Sequence, residues 1–238
     1  YRYCHSQNCS SELMQNQTCF LLSYMKYGDQ DAILHCFSAE RGYQSFFAKG
    51  IYSSKNKKKP YLFPLNLLNI TVSRGAAHKT LLPIAKLEPA ADFYDFNDVK
   101  VNSMLFFTAD FLHQILREEH QNERAFNEIN SFKEQVEVNN PISHLSLIFQ
   151  FLKVSGIAPL LREGSYLNPE SGTFTQEISH PFFTAEISSL WRIFLTAENP
   201  YEIHLRRHER NTFLDSLMIY YHLHFTGFYT PNSLGVLR

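Results

Sequence analysis

Residues 19–48 read CFLLSYMKYGDQDAILHCFSAERGYQSFFA, three aromatic and apolar segments separated by two charged turns that contain Gly28 and Gly42. Short runs of aromatic and β-branched residues bounded by glycine or charged residues are typical of β-strands. Two similar runs follow, so the candidate strands lie at residues 20–24, 32–37, 43–48, 63–72 and 81–87. Five strands of this length within about 70 residues favour a small closed barrel of the OB type.

After Pro89 the apolar residues take the spacing of helices. From Met104 onwards they recur every three or four residues, which predicts a first helix with Asn97 or Asp98 as its N-cap. Ser179 is the expected cap of the fourth helix. The remaining helices are predicted at residues 125–136, 142–155, 180–194 and 203–225, with an irregular segment at residues 160–178.

These patterns predict an α+β fold in which an N-terminal five-stranded OB-type β-barrel is followed by an all-helical domain. The expected boundaries leave residues 1–18 unassigned, place the barrel at residues 19–90 and place the helical domain at residues 91–238. Charge follows a similar division: residues 1–90 hold 11 Lys or Arg against 5 Asp or Glu, and the remainder holds 11 against 18. A basic first part and an acidic second part indicate separate roles.

The third candidate strand runs directly into residues 49–59, which read KGIYSSKNKKK and hold five lysines. Burial would strip each ammonium group of its hydration, so we expect a flexible, solvated loop. One interpretation is a loop that only aids solubility, and the other is a site for polyanions, nucleic acid first among them. The candidate contacts are the basic residues in or beside predicted turns of the barrel: Lys26, Arg41, Lys49, Lys55, Lys57, Lys58, Lys59, Arg74 and Lys79.

Aromatic residues are interleaved with these basic residues, namely Tyr43, Phe46, Phe47 and Tyr52. Proteins that bind single strands combine a cationic rim with aromatic platforms on which bases stack. Alternate side chains of each strand must fill the barrel, so only one or two of the four are expected on its surface. The combination favours nucleic acid over a loop that only aids solubility.

No motif for a nucleotide-binding loop or a serine hydrolase is recognisable in the chain. His204 and His208 are four residues apart on the predicted fifth helix, and His222 and His224 lie near its end. Such a pair can bind zinc, but no glutamate and third ligand stand at a recognisable spacing. We therefore expect no enzyme activity, no cofactor and no metal, and a metal-dependent hydrolase is the less favoured alternative.

The four cysteines, Cys4, Cys9, Cys19 and Cys36, form no C-x-x-C pair, and the last two are expected to be buried free thiols. No apolar run approaches the roughly 18–20 residues of a membrane span. The first 18 residues lack the apolar middle of a signal peptide. These features predict a cytoplasmic protein without a membrane partner.

Several short motifs follow one another along the chain. In the barrel they are KYGDQDAIL at residues 26–34, FSAERG at residues 37–42, FAKG at residues 47–50, SSK at residues 53–55, LLNI at residues 67–70 and IAKLEP at residues 84–89. In the helical part they are the segment at residues 147–159, YYHLH at residues 220–224 and the end at residues 233–237. Together these motifs resemble the RecO family of DNA repair proteins. The resemblance covers about residues 19–237, and the barrel motifs are specific as a set.

The resemblance implies a recombination mediator, associated with the nucleoid, that binds single- and double-stranded DNA and anneals complementary strands. It also implies that the protein works with RecR to load RecA onto strands coated by single-stranded DNA-binding protein. Lys49 and Lys55 occupy matching positions in the family motifs, so the resemblance implies DNA contact for both. The acidic tail of the single-stranded DNA-binding protein needs a basic and apolar pocket, for which Arg206, Arg207 and Arg210 are the candidates.

The chain departs from the family pattern in two places. Many family members carry a four-cysteine zinc site in the helical domain, whereas this chain has no cysteine after Cys36 and is similar to the zinc-free branch, with residues 160–174 in place of that module. Residues 1–18 do not resemble the short start of the family. An OB-type protein that binds RNA is an alternative, and a measured preference for DNA or RNA strands would discriminate between the two, because a residue that reads the 2′-hydroxyl has no signature in the sequence.

Overall fold

Five strands near the start of the chain close into a barrel in the order β1-β2-β3-β5-β4. Their bounds are Asn16–Tyr27 (β1), Asp31–Ser38 (β2), Gly42–Ala48 (β3), Leu67–Val72 (β4) and Leu81–Pro89 (β5). The computed structural model describes residues 16–73, 80–91 and 98–237. The predicted fold class, an OB-type barrel followed by helices, is confirmed.

The barrel core is built from the side chains that alternate inward along each strand. In β2, Ala32, Leu34 and Cys36 are buried, whereas the intervening Ile33 and His35 are only half-buried. This alternation follows from the pleat, which directs successive side chains to opposite faces of a strand. The core consists of Cys19, Leu21, Ala32, Leu34, Cys36, Phe46, Ala48, Ile51, Leu62, Leu68, Ile70, Val72, Leu82 and Leu87.

Two of these core residues are free thiols, as predicted: Cys19 and Cys36 are both buried. Burial raises the pKa of Cys36 well above its usual value, and the neighbouring Cys19 adds to this effect. A thiol whose thiolate is disfavoured in this way reacts slowly, so Cys36 serves as a small apolar residue of the core.

Six α-helices lie in the described part of the chain. Their bounds are Val99–Ile115 (α1), Glu123–Glu137 (α2), Ser143–Val154 (α3), Ala185–Thr196 (α4), Arg207–His224 (α5) and Leu234–Leu237 (α6). The described residues fall into two compact units, one with the barrel and one with the helices together with residues Ser38–Tyr43. Asp98 caps α1 as predicted, since its carboxylate accepts a hydrogen bond from the backbone N–H of Lys100 at 2.7 Å.

Two helix starts differ from the prediction. The cap of α4 is Thr184 and not Ser179, because Thr184 keeps an extended backbone and its side chain accepts a hydrogen bond from the first turn. Helix α5 begins at Arg207, several residues later than predicted. Arg206 has an extended backbone, and the carboxylate of Glu209 accepts its backbone N–H at 2.7 Å, which fixes the start of the helix there.

Residues 160–178 were predicted to be irregular, but they contain a two-stranded hairpin of Tyr166–Asn168 (β6) and Thr173–Thr175 (β7). Strands of three residues are too short for a period of two to be recognised in the sequence. The backbone N–H of Leu167 donates to the hydroxyl of Ser188 in α4 at 2.9 Å. This buried hydrogen bond ties the hairpin to the helices.

His144 lies in α3 and is a buried titratable group that has no carboxylate partner among the described residues. Its ring meets Phe107 edge-on, with ring centroids 6.3 Å apart. Burial, and to a smaller extent the nearby Arg210 guanidinium, lower the pKa of His144 to about 3. The side chain is therefore neutral in the folded protein at pH 7 and at pH 5.

We expect His144 to make the helical unit less stable as the pH falls from about 6.5 to about 3. In the unfolded chain the imidazole takes up a proton near pH 6.5, whereas in the folded chain it does not, so lower pH favours unfolding. Between pH 7 and pH 5 this one group should lower the free energy of unfolding by about 2 kcal/mol.

Denaturant unfolding of the wild type and of His144→Met at pH 7 and pH 5 measures this effect. Other groups, including Asp110 and Glu128, whose pKa values burial raises, titrate in both proteins and cancel in the comparison. The pH dependence of the His144→Met variant should be weaker by the stated amount. Equal pH dependence of the two proteins would contradict the assignment of a neutral, buried imidazole.

Candidate nucleic-acid interface

The lysine-rich segment after β3, residues 49–59, forms an ordered loop that we call the lysine loop. Its first half is fixed to the turn between β1 and β2 by two hydrogen bonds. The backbone N–H of Gly50 donates to Asp31 Oδ1 at 2.6 Å, and the backbone N–H of Tyr52 donates to the carbonyl of Gln30 at 2.8 Å. The bond to Asp31 is charge-assisted and belongs to the stronger class of hydrogen bonds.

The second half of the lysine loop is organised by one side chain, Asn56. Its Nδ2 donates to the carbonyl of Gly50 at 3.0 Å, and its Oδ1 accepts the backbone N–H of Lys58 at 2.9 Å. A short 3₁₀ helix at Lys59–Tyr61 then leads towards β4. Local hydrogen bonds hold the backbone, while the lysine side chains reach the surface, as expected of a solvated loop.

The ordered loop surrounds a shallow depression with a volume of about 420 Å³. Lys49, Lys55, Lys57 and Lys59 are exposed, Lys58 is half-buried, and none of the five forms an ion pair with another described residue. Positive charge concentrated in a concavity attracts anions and raises their local concentration. The depression is lined by Ser53, Lys55, Asn56, Lys57, Lys58 and Tyr61.

The other basic candidates are distributed differently. Lys26 is exposed in β1, and its Nζ lies 6.0 Å from the centroid of the Tyr52 ring, at the limit of a cation–π contact. Burial raises the pKa of Tyr52, with a smaller contribution from Tyr24. Arg41 is exposed but belongs to the unit that holds the helices, and Arg74 lies outside the described residues, as does Lys79. In the barrel unit the structure therefore brings Lys26 together with the lysine loop.

The four aromatic candidates are less exposed than expected. Phe46 is buried in the barrel core, Phe47 and Tyr52 are half-buried, and the hydroxyl of Tyr43 forms a hydrogen bond with Nδ1 of His113 at 3.2 Å. The exposed aromatic rings of the barrel among the described residues are Tyr24 and Tyr27, which the sequence reasoning did not single out. These two rings were missed because the predicted first strand ended at Tyr24, whereas β1 continues to Tyr27.

The helical unit holds a second depression, with a volume of about 530 Å³. Arg206 lines this depression, and its guanidinium contacts the carboxylate of Glu209 at 2.7 Å. Hydrogen bonds from Arg206 lower the pKa of Glu209 to about 2. Arg210 donates to the carbonyl of Leu205 at 2.9 Å, and Arg207 is exposed. The lining residues are Val138, Asn139, Asn140, Pro141, Ile142, Tyr201, Ile203, His204, Leu205 and Arg206.

The histidine pair considered for metal does not share a helix face. His204 precedes α5, whereas His208 lies in its first turn, so the predicted spacing of one helical turn was wrong. Among the residues that the structure describes, no group of three His, Cys, Asp or Glu side chains is placed to hold a metal ion. None of the described helices is both long enough and apolar enough to cross a membrane.

Comparison with known proteins gives a consistent result. The family described as "Recombination protein O N terminal" matches residues 14–93, which include the whole barrel. The chain is 30% identical over 234 residues to the DNA repair protein RecO of Porphyromonas gingivalis, with 89% of this chain and 94% of the relative covered. It is 29% identical over 230 residues to the DNA repair protein RecO of Flavobacterium psychrophilum, with 92% and 95% covered.

Proposed function

Because this chain belongs to the RecO family of DNA repair proteins, we propose that it is a recombination mediator that binds DNA and anneals complementary strands. In this proposal it works with RecR to load RecA onto single strands coated by single-stranded DNA-binding protein. The observation that supports the proposal is the hydrogen-bonded lysine loop on an OB-type barrel, whose positive charge is not paired with any described carboxylate.

Annealing requires no covalent step, so a mediator of this kind needs charge and base access instead of a catalytic residue. Two strands repel one another through their phosphates, and a protein that neutralises those phosphates releases counterions and lowers that repulsion. In our proposal Lys49, Lys55 and the neighbouring lysines of the loop contact phosphates. Such contacts fix the strand without reading its sequence, which suits a protein that must act on any damaged DNA.

The helical unit is the proposed site of the protein partner. The depression near Arg206 combines apolar side chains, including Val138 and Ile142, with a guanidinium at its edge. The acidic tail of the single-stranded DNA-binding protein needs a basic and apolar pocket, so we propose this depression as its site. Arg207 and Arg210 are the additional basic candidates near the start of α5.

Annealing of two complementary oligonucleotides, bare or coated with the single-stranded DNA-binding protein of the same organism, tests the proposal. We expect the protein to accelerate annealing in both cases at low salt, and we expect the acceleration to fall steeply as salt is raised. If annealing is accelerated in neither case, the mediator function is wrong. Tighter binding to RNA than to DNA of the same sequence would instead favour the RNA-binding alternative.

A further inference from the structure

Three large side chains are exposed within four residues at the end of β1. Tyr24 is 41% exposed, Met25 is 54% exposed and Tyr27 is 57% exposed. Side chains of this size on a small barrel are normally buried, and a cluster of them on the surface indicates an interaction site.

The register of β1 and β2 shows which of these side chains face away from the barrel core. Beyond the β-bulge between Leu21 and Ser23, Tyr24 and Lys26 lie opposite Leu34 and Ala32, both of which point into the core. Residues directly opposite one another in an antiparallel pair share a face. Met25 and Tyr27 therefore lie on the outer face of the sheet. In OB-type barrels, the outer face around the second and third strands is the one that binds oligonucleotides.

The Tyr27 ring is held in place on this outer face by Phe47 of β3. The two rings meet edge to face, with centroids 5.8 Å apart and an interplanar angle of 84°. This contact restrains the Tyr27 ring while more than half of the side chain stays accessible. A ring that is already fixed loses little conformational freedom when a flat ligand stacks on it.

The exposed ring is linked to the lysine loop in two ways. Lys49 is exposed two residues after Phe47, and the turn that follows Tyr27 is bonded to the lysine loop through Gln30 and Tyr52. An apolar helix of a partner protein would gain nothing from this charge. A polyanion whose bases are accessible fits both the ring and the lysines.

We propose that Tyr27, supported by Phe47 and flanked by Met25, is a stacking platform for unpaired bases of single-stranded DNA. The inference rests on the proposed function. In it, the lysine loop contacts the phosphates of the strand and Tyr27 contacts its bases. Bases within a duplex are stacked on one another and cannot reach the ring. The platform therefore makes the barrel prefer single strands over duplex.

Three variants and three probes test the platform by fluorescence anisotropy. The variants are Tyr27→Ala, Tyr27→Phe and Tyr229→Ala, the last replacing an exposed tyrosine of the helical unit that is 52% exposed. The probes are an oligothymidine strand, an abasic strand of the same length and a duplex. Tyr27→Ala should bind oligothymidine about 5- to 100-fold more weakly than the wild type. Tyr27→Phe keeps the ring and should bind like the wild type, as should Tyr229→Ala.

The abasic strand and the duplex separate stacking from charge. Tyr27→Ala should bind both of these probes as the wild type does and should keep the same salt slope, because no phosphate contact is lost. Unchanged binding of oligothymidine by Tyr27→Ala, or an equal loss on the abasic strand, would overturn the platform while leaving the proposed function intact. Failure of the wild type to bind any of the three probes would overturn both.

Discussion

Changing Lys55, Lys57, Lys58 and Lys59 together to alanine is expected to lower the affinity for single-stranded DNA by several hundredfold at about 0.1 M salt. Each lysine that neutralises a phosphate of a single strand contributes about 0.7 to the slope of log K against log salt, so four contacts contribute about 3. The four side chains are available for such contacts, since none is engaged in an ion pair with another described residue. Binding titrations at four or five salt concentrations measure the slope.

The matched control replaces the same four lysines by arginine. Arginine keeps the charge, so the salt slope should stay within one unit of the wild-type value. Lys100→Ala removes one exposed lysine from the start of α1 and measures the effect of losing a single surface charge outside the loop. A slope that is the same in the alanine variant and the wild type would show that the lysine loop does not contact phosphates.

The same variants distinguish a loop that holds the strand from one that only attracts it. Charges that steer a ligand from a distance change mainly the association rate, whereas groups that touch the bound ligand change mainly the dissociation rate. The hydrogen bonds of Gly50 to Asp31 and of Asn56 to Gly50 keep the lysines near fixed positions. We therefore expect the alanine variant to release DNA faster in stopped-flow measurements.

The barrel could be predicted from the sequence because the pattern that marks each strand is local. Each strand carries its own aromatic and apolar pattern, and Gly28 and Gly42 mark turns with positive φ of 59° and 67°. The β-bulge between Leu21 and Ser23 was not predictable in this way. A bulge changes which later residues face the core, so the exposure of Tyr27 could not be derived from strict alternation.

The structure of the lysine loop could likewise be predicted only in part from the sequence. Its position and charge were evident in the sequence, but its backbone is held by Gln30, which lies in the turn between β1 and β2, and by Asp31, the first residue of β2. Hydrogen bonds between residues far apart in the chain leave no periodic pattern. The prediction of the loop therefore identified the residues but not the depression that they line.

The later start of α5 has a different cause. The apolar periodicity of α5 extends back to residue 203, which led to the earlier predicted start. The residues just before it, Pro200–Glu202, form a separate 3₁₀ turn capped by Asn199. The carboxylate of Glu209 accepts hydrogen bonds from the backbone N–H and from the guanidinium of Arg206, and these two bonds favour a new helix start over a continuous helix. The helix starts after Asn199 and after Arg206 differ in free energy by only a fraction of a kcal/mol. Helix propensity alone does not resolve a difference of this size.

Replacing Trp191 by alanine is expected to destabilise the helical unit by about 3–5 kcal/mol. Trp191 is fully buried, and its ring meets Phe213 at a centroid distance of 5.6 Å and Tyr220 at 4.9 Å. Its Nε1 donates to the hydroxyl of Ser216 at 2.9 Å, in the buried core. The substitution would leave a large cavity between α4 and α5 and would remove a partner of Ser216.

Thermal unfolding followed by circular dichroism at the helix band measures this loss, which should lower the midpoint by about 6–20 °C. Trp191→Phe keeps an aromatic ring in the cavity and loses mainly the hydrogen bond, so its midpoint should lie between those of the alanine variant and the wild type. Trp191 is the single tryptophan of the chain, so its fluorescence in the wild type reports on this unit alone. A midpoint for Trp191→Ala within two degrees of the wild type would mean that this aromatic cluster does not limit the stability of the helical unit.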